Sequence, residues 1–198
     1  MRSPLAIDGT SLTLADVVDV ARNHRSVELE GSARERMQSS YNWVQRAATN
    51  DQPIYGVNTG FGSLARVRID PEHSSQLSLN LIRSHAAGVG PILPITETRA
   101  MMLLRANALA KGVSGCRPLI VDTLLAMLNK GVIPMVPTQG SCGSSGDLAP
   151  LAHLGLALAD GDHGRVRVDG VELSAAEGMR RANIARITLE AKDGLAIT

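Results

Sequence analysis

Three consecutive segments in the middle of the chain have the apolar spacing of amphipathic helices, and a glycine follows each of them. Glycine directly after a periodic segment is a common stop signal, because it adopts the left-handed backbone that closes a helix. Three helices joined by short connections favour a helical bundle over a fold built on a sheet. The segments are Ser74 to Ala87 before Gly88, Thr96 to Lys111 before Gly112, and Pro118 to Lys130 before Gly131.

The interior of such a bundle must be almost free of aromatic side chains. The chain has one Trp, two Tyr and one Phe among 198 residues, although 44% of its residues are hydrophobic. Leu, Val, Ile, Met and Ala must therefore fill the core, and closely packed helices suit these side chains. The rings are also too few for the base-stacking surfaces of proteins that bind single-stranded nucleic acids.

The charge balance argues against several classes of partner. With 20 Lys and Arg against 19 Asp and Glu, the net charge is +1, which gives no strong field for a phosphate backbone or an anionic membrane. We therefore expect no nucleic-acid and no membrane partner. The sequence has neither a secretion signal nor a run of about 20 apolar residues, so it predicts a cytoplasmic protein. Cys116 and Cys142 match no disulfide or zinc pattern, and we expect no metal.

Shorter elements are predicted before the bundle. Residues 5–12 resemble a small β-hairpin that turns at Asp8-Gly9. A capped helix is expected to follow Thr13. A second helix is expected to begin at Ser32, where Glu35 three residues later completes a capping box.

Two glycine-rich segments interrupt the helical periodicity. Residues 51–71 contain three glycines and predict an ordered loop, and such loops often carry functional residues. Residues 137–146 are rich in glycine and serine and lead to Asp147, which we expect to cap the next helix. An Asp-Gly hairpin over residues 165–173 and a short helix near 174–182 should follow.

The second glycine-rich segment contains a tripeptide with unusual chemical potential. It lacks the Lys of phosphate-binding loops and the spacing of the GxSxG nucleophile motif. In a tight turn the Gly146 nitrogen can attack the Ser144 carbonyl carbon, and glycine permits this approach because it has no Cβ. Loss of two waters, one involving the Ser145 hydroxyl, would leave an electrophilic methylidene on a five-membered ring. On the residues alone, a flexible loop that caps a helix explains the segment equally well.

Three motifs in this order resemble those of the aromatic amino acid ammonia-lyases and 2,3-aminomutases. Those enzymes use a 4-methylidene-imidazol-5-one (MIO) prosthetic group, and the pattern here is most similar to histidine ammonia-lyase. The resemblance covers nearly the whole chain from Asp8 onwards. The motifs are YGVNTGFG at 55–62, SHAAGVG at 84–90 and GSCGSSGDLAPLAH at 140–153.

The resemblance implies a mainly α fold like that of the ammonia-lyases and of fumarase and aspartase. A mixed N-terminal region with small β-hairpins would lead into the start of a central helical bundle. Residues 1–110 would form this region with the catalytic tyrosine loop, and residues 111–198 would start the helical domain that carries the MIO tripeptide. Because the family continues beyond Thr198, we expect the C-terminal part to be absent. The family forms homotetramers, so we also expect a homo-oligomer.

The resemblance also assigns catalytic roles. Ser144, Ser145 and Gly146 would form the MIO group, without a metal or an external cofactor. Tyr55 would act as the general base that removes the β-proton of the substrate, so its site must favour the phenolate. Asp147 would support the cyclised loop. On the residues alone, an ordinary loop tyrosine is the commoner explanation of Tyr55.

Four further residues would contact the substrate if the resemblance holds, namely His85, Asn58, Gly60 and Phe61. The pair Ser84-His85 is the pattern of the histidine lyases, although some tyrosine aminomutases resemble this segment as well. Without the family, a half-buried helical histidine is the plainer explanation of His85.

The implied reaction is elimination of ammonia from L-histidine to give trans-urocanate. The alternatives are a tyrosine or phenylalanine ammonia-lyase, a 2,3-aminomutase, or a catalytically incomplete N-terminal fragment that acts only in assembly. In each enzymatic case the ligand is a small aromatic amino acid.

Overall fold

The computed structural model describes residues 3–50, 52–141 and 146–198. Helices dominate the described residues and the strands are short, so the predicted mainly α class is confirmed. The helices are α1 (Leu14–Asn23), α2 (Gly31–Ala48), α3 (Ser74–His85), α4 (Ile95–Ala110), α5 (Pro118–Asn129), α6 (Leu148–Ala159), α7 (Ala175–Arg181) and α8 (Asp193–Ile197). The strands are β1 (Leu5–Ile7), β2 (Val27–Leu29), β3 (Val89–Ile92), β4 (Ile133–Pro134), β5 (Pro137–Gln139), β6 (Arg165–Val168) and β7 (Val171–Ser174).

Aliphatic side chains build the core, as the composition requires. The helices α5 and α6 each bury eight of their 12 residues, so both are surrounded by protein on most sides. All four aromatic side chains lie outside the main buried cluster. Every helix in the described ranges is too short or too polar to cross the hydrocarbon layer of a membrane.

A buried arginine joins three helices of this core. Arg99 on α4 is 3% exposed, and its guanidinium donates to the Val20 carbonyl at 2.9 and 3.2 Å and to the Leu128 carbonyl at 2.9 Å. These carbonyls belong to the last turns of α1 and α5, where backbone oxygens lack partners within the helix. Burial lowers the pKa of Arg99. Arg99 therefore caps two helix ends from inside the core.

The glycine stop signals predicted the bundle helices well. The ends of α4 and α5 lie within one residue of the predicted positions, and α3 ends two residues earlier than predicted. Gly112 and Gly131 follow α4 and α5 with φ angles of 78° and 68°, in the left-handed region that favours glycine.

The predicted N-terminal hairpin is wrong, because β1 pairs in parallel with β2 on the far side of α1. The turn at Asp8-Gly9 is real, but it directs the chain onto α4. The Asp8 carboxylate accepts the backbone N–H groups of Thr10 and Ser11, and the Gly9 N–H donates to Asn107 Oδ1 at 3.0 Å. These contacts lead the chain into α1 and away from β1.

The predicted cap of α2 is also wrong. The N-cap residue is Glu30, whose carboxylate accepts the Ala33 N–H at 3.1 Å. The Ser32 hydroxyl donates to the same carboxylate, so it is not the group that caps the helix. A glutamate with extended backbone before Gly31 thus replaces the expected box of Ser32 and Glu35.

The later elements agree with the sequence. Strands β6 and β7 form the predicted hairpin across Asp169 and Gly170, both of which have positive φ. Ser174 caps α7 by accepting the Glu177 N–H. This hairpin also extends a small antiparallel sheet, because β6 pairs with β4.

Candidate active site

One buried amide side chain holds the loop that carries Tyr55. Asn58 is 3% exposed, and its Oδ1 accepts the Ile54 N–H at 2.7 Å. Its Nδ2 donates to the carbonyls of Asn50 and Gln52, both at 3.0 Å. These bonds satisfy three of the four hydrogen bonds that an amide side chain can make. Asn58 therefore organises the loop, and its contact with a substrate stays a prediction.

The two rings of this loop lie against each other. Tyr55 is 55% exposed, and Phe61 meets it edge to face with ring centroids 6.1 Å apart. Gly56 has a φ of 69°, and a side chain there would begin 2.5 Å from Leu195 Cδ2. Gly60 has equally little room for a Cβ. Close packing at Gly56 and Gly60 thus holds the loop in a conformation that leaves the Tyr55 ring at the surface.

His85 is the last residue of α3, and the helix orients its ring. Its Nδ1 lies 2.8 Å from the Leu81 carbonyl oxygen. Since a carbonyl can only accept, Nδ1 carries the proton in this contact. Ser84 Oγ lies 3.1 Å from the same nitrogen and donates to the Leu81 carbonyl at 2.9 Å. In the described part of the chain, Nε2 of this half-buried ring has no hydrogen-bond partner, and its contact with a substrate stays a prediction.

The turn after α3 meets both the glycine- and serine-rich segment and the helix α6 that follows it. The Gly88 N–H donates to His153 Nε2 at 3.1 Å. Gly140 lies so close that a Cβ on it would be 3.1 Å from Gly88 Cα. The strands that adjoin these two glycines, β3 and β5, pair antiparallel. The structure thus brings the second and third sequence motifs together.

His153 is a neutral structural contact between these motifs. Burial lowers the pKa of its imidazole. Its Nε2 accepts a hydrogen bond from Gly88, so the ring proton lies on Nδ1. Sequence spacing did not indicate this bond, because the two residues are 65 positions apart.

The predicted MIO tripeptide is described only at its third residue. Ser144 and Ser145 lie outside the described residues, as does Cys142. Gly146 has a φ of 86°, which favours glycine, and no described residue lies within 4 Å of a Cβ placed on it. The backbone at Gly146 is therefore one that glycine adopts readily, and formation of the ring stays a prediction.

Asp147 occupies the N-cap position of α6, as predicted, but its side chain does not cap the helix. Its backbone has a φ of −98° and a ψ of 45°, unlike the extended backbone of a usual cap. The carboxylate instead accepts the Ser141 hydroxyl at 2.5 Å. It consequently leaves the first N–H groups of α6 to other acceptors.

A cavity of about 470 Å³ lies beside His153, and the sequence did not predict it. Arg83, His163 and Arg165 contribute to its lining. Arg83 Nε donates to the buried Asp160 carboxylate at 2.6 Å, and His163 Nδ1 lies 3.0 Å from the same oxygen. Arg83 and Asp160 are 77 positions apart, so no local pattern indicates the pair.

The Asp160 carboxylate should make the free energy of unfolding depend on pH in the acidic range. Burial raises the pKa of Asp160, but the hydrogen bonds from Arg83 and His163 outweigh it and lower the pKa to about 2. A lowered carboxyl pKa stabilises the fold above the unfolded value near 4, and this stability is lost as the pH falls from about 4 through 2. We expect Asp160→Asn to lower the free energy of unfolding at pH 7 by about 2 kcal/mol.

Urea unfolding at pH 7 and pH 3 measures this effect. The exposed neighbour Asp162 is the control, and Asp162→Asn should leave the urea midpoint nearly unchanged. Equal midpoints for Asp160→Asn and the unsubstituted chain at pH 7 would contradict the role of this ion pair.

A buried thiol and a cluster of possible metal ligands occur elsewhere in the described residues, and we assign a function to neither. The Cys116 thiol is buried, and burial raises its pKa to about 12, so it stays protonated. Asp70, Glu72 and His73 have ligand atoms within 4.8 Å of one another, but all three side chains are exposed. We assign no metal to them.

Comparison with known proteins identifies the family. The model of the family described as aromatic amino acid lyase matches residues 12–198. The chain belongs to the aromatic amino acid lyase family. The resemblance seen in the three sequence motifs is thereby confirmed.

Individual relatives agree with this membership. A histidine ammonia-lyase of Stigmatella aurantiaca is 49% identical over 99% of this chain, but the match covers 38% of that protein. A tyrosine aminomutase structure from Streptomyces globisporus superposes with a TM-score of 0.90 at 37% identity, covering 98% of this chain and 36% of that one. A histidine ammonia-lyase structure from Trypanosoma cruzi gives a TM-score of 0.89 at 34% identity, covering 98% and 37%. The chain thus spans less than two-fifths of the length of these relatives.

Proposed function

We propose that this chain belongs to an MIO-dependent ammonia-lyase that converts L-histidine to trans-urocanate and ammonia. The observation that carries the proposal is the meeting of two motifs: Gly88, three residues after His85, contacts Gly140 and His153, which lie on either side of Ser144-Ser145-Gly146 in the sequence. A substrate-binding side chain and a potential electrophile would therefore lie at one place. The curated histidine ammonia-lyases, 49% identical in one case, support the choice of substrate.

The described residues around the tripeptide fit an MIO group. Gly146 has a positive φ, which glycine adopts readily, and the Asp147 carboxylate does not cap the first turn of α6. The positive end of a helix favours an oxygen on which negative charge develops. The group would supply an electrophile for the amine of the substrate. Its support would come from Asp147, held by Ser141.

Tyr55 would take the β-proton of the substrate. The Asn58 hydrogen bonds fix its loop, and Phe61 orients its ring. An exposed tyrosine in a rigid loop is suited to this role, since a general base must reach the substrate while its backbone stays in place. Gly60 keeps the loop tight and would allow the substrate to approach.

His85 would bind the imidazole ring of the substrate through Nε2. Its Nδ1 proton is held by Leu81, so Nε2 can accept an N–H from the substrate ring. We expect His85→Ala to raise KM for L-histidine about tenfold or more, because one hydrogen bond to the ring is lost. The increase in urocanate absorbance measures this, and an unchanged KM would contradict the assignment of His85.

The second candidate is a tyrosine 2,3-aminomutase. It is favoured by the Streptomyces globisporus structure, whose 37% identity exceeds the 34% of the Trypanosoma cruzi histidine lyase structure. Assays of L-histidine, L-tyrosine and L-phenylalanine under the same conditions decide between them. Turnover of L-histidine alone supports the lyase, and a β-amino acid formed from L-tyrosine supports the aminomutase.

A homotetramer in the cytoplasm is the assembly that we propose for the enzyme. The exposed apolar side chains of Leu104 and Val113 would suit contacts between subunits. A chain that assembles but has no turnover, and gains it when the remaining length of its relatives is supplied, would favour the role in assembly only.

A further inference from the structure

The short helix α8 contacts all three parts of the chain that carry the motifs. Its Leu195 lies against Gly56, next to Tyr55, and its Gly194 lies against the Ser78 carbonyl on α3. Its Ile197 Cγ2 would be 3.2 Å from a Cβ on Gly155 of α6. A displacement of α8 would therefore change its contacts with the Tyr55 loop, with α3 and with α6.

A buried ion pair holds the start of α8. Asp193 is fully buried, and its carboxylate accepts Arg117 Nε at 2.9 Å and Arg117 Nη2 at 2.6 Å. The backbone N–H groups of Arg117 and Glu190 donate to the same carboxylate at 3.3 and 2.9 Å. Arg117 also donates to the Glu190 carboxylate at 2.8 Å. Since four of these hydrogen bonds converge on the buried Asp193 carboxylate, its loss would leave Arg117 with Glu190 as its remaining carboxylate partner and would release the start of α8.

Two further features indicate that the position of α8 is tightly determined. Lys192, which precedes the helix, has a φ of 76°. A residue with a Cβ keeps this left-handed conformation only where its surroundings impose it. At the other end, the Arg105 guanidinium donates to the carbonyls of Ala196 and Thr198 at 3.5 and 3.3 Å. Both ends of α8 are thus fixed by arginines from the bundle.

We infer that Arg117 and Asp193 are positioning residues, whose buried ion pair fixes α8 so that Leu195 holds the Tyr55 loop against the helices of the site. The effect of this ion pair on catalysis rests on the proposed lyase function. The restraint of the Tyr55 loop by α8 does not depend on that function. The ion pair acts through Leu195 and touches neither substrate nor the tripeptide.

Hydrogen exchange of the full chain tests the restraint directly. Within the loop the Gly60 N–H donates to the Val67 carbonyl and the Ile69 N–H to the Asn58 carbonyl. We expect Asp193→Asn to speed exchange of these two amides about tenfold or more, while the amides of α4 keep their rates. Leu195→Ala should do the same without touching the ion pair.

The control variant breaks an ion pair made by a residue of α5. Asp122 pairs with Arg34 at 2.6 Å, and the two side chains are 39% and 47% exposed. Asp122→Asn should leave the loop amides at their original rates, because this pair is far from α8 in the chain and weak at the surface.

The outcomes separate the inference from a general loss of stability. Faster exchange confined to the loop supports it. Unchanged loop rates, or equal acceleration of the loop and α4, would overturn it. If Asp193→Asn does not fold, Leu195→Ala decides by the same criteria.

Turnover gives the second measurement. In the active enzyme we expect Leu195→Ala to lower kcat about tenfold with little change in KM, since the base is misplaced but the binding residues remain. A changed KM with constant kcat would contradict positioning of Tyr55. The intact mass reports ring formation independently, so it distinguishes failure of this inference from failure of the proposed function.

Discussion

Replacing Ser145 by alanine is expected to leave the chain at most one water below its sequence mass and to lower turnover of L-histidine by about 10³-fold or more. Alanine has no hydroxyl to lose as water, so the methylidene cannot form. Intact-mass measurement and the urocanate assay on the same preparation check both parts.

Ser144→Ala is the matched control for this variant. Ser144 would contribute only backbone atoms to the ring, so its alanine variant should still lose two waters relative to its own sequence mass. A Ser145→Ala chain with normal turnover, or one that is two waters lighter than its sequence, would contradict the proposed ring.

Replacing Tyr55 by phenylalanine should lower turnover by about 10² to 10⁴-fold, the range expected when a general base is removed. The mass deficit should remain, because Tyr55 takes no part in cyclisation. Phenylalanine keeps the edge-to-face contact with Phe61, so the loop should stay in place. The experiment therefore separates the base from the electrophile.

Trp43→Phe is the control for the loss of a surface aromatic group. Trp43 on α2 is 53% exposed, close to the 55% of Tyr55. Its variant should keep the original kcat and KM. Comparable turnover for Tyr55→Phe and the unsubstituted chain would show that another group removes the β-proton.

Local signals in the sequence predicted much of this fold. Gly112 and Gly131 fixed the ends of two bundle helices, and the Asp169-Gly170 turn fixed a hairpin, because these residues adopt backbone that few others do. The predicted N-terminal hairpin is wrong, because its pairing depends on a distant strand and not on the local turn. The partner of β1 lies beyond α1, and a good Asp-Gly turn does not reveal which strand it serves.

The motifs predicted which residues should form the site, but not what holds them. The Gly88 bond to His153 spans 65 positions, and the Arg117 pair with Asp193 spans 76. No periodic pattern marks such contacts, since each depends on how the helices pack. The sequence also gave no sign that the Asp147 carboxylate turns back to Ser141, because the local backbone decides this.

The intact mass of the purified, unsubstituted chain tests the central claim most directly. Cyclisation of Ser144-Ser145-Gly146 predicts a mass two water molecules below that of the sequence, with the deficit in the peptide that contains these residues. A chain at its full sequence mass would contradict the account.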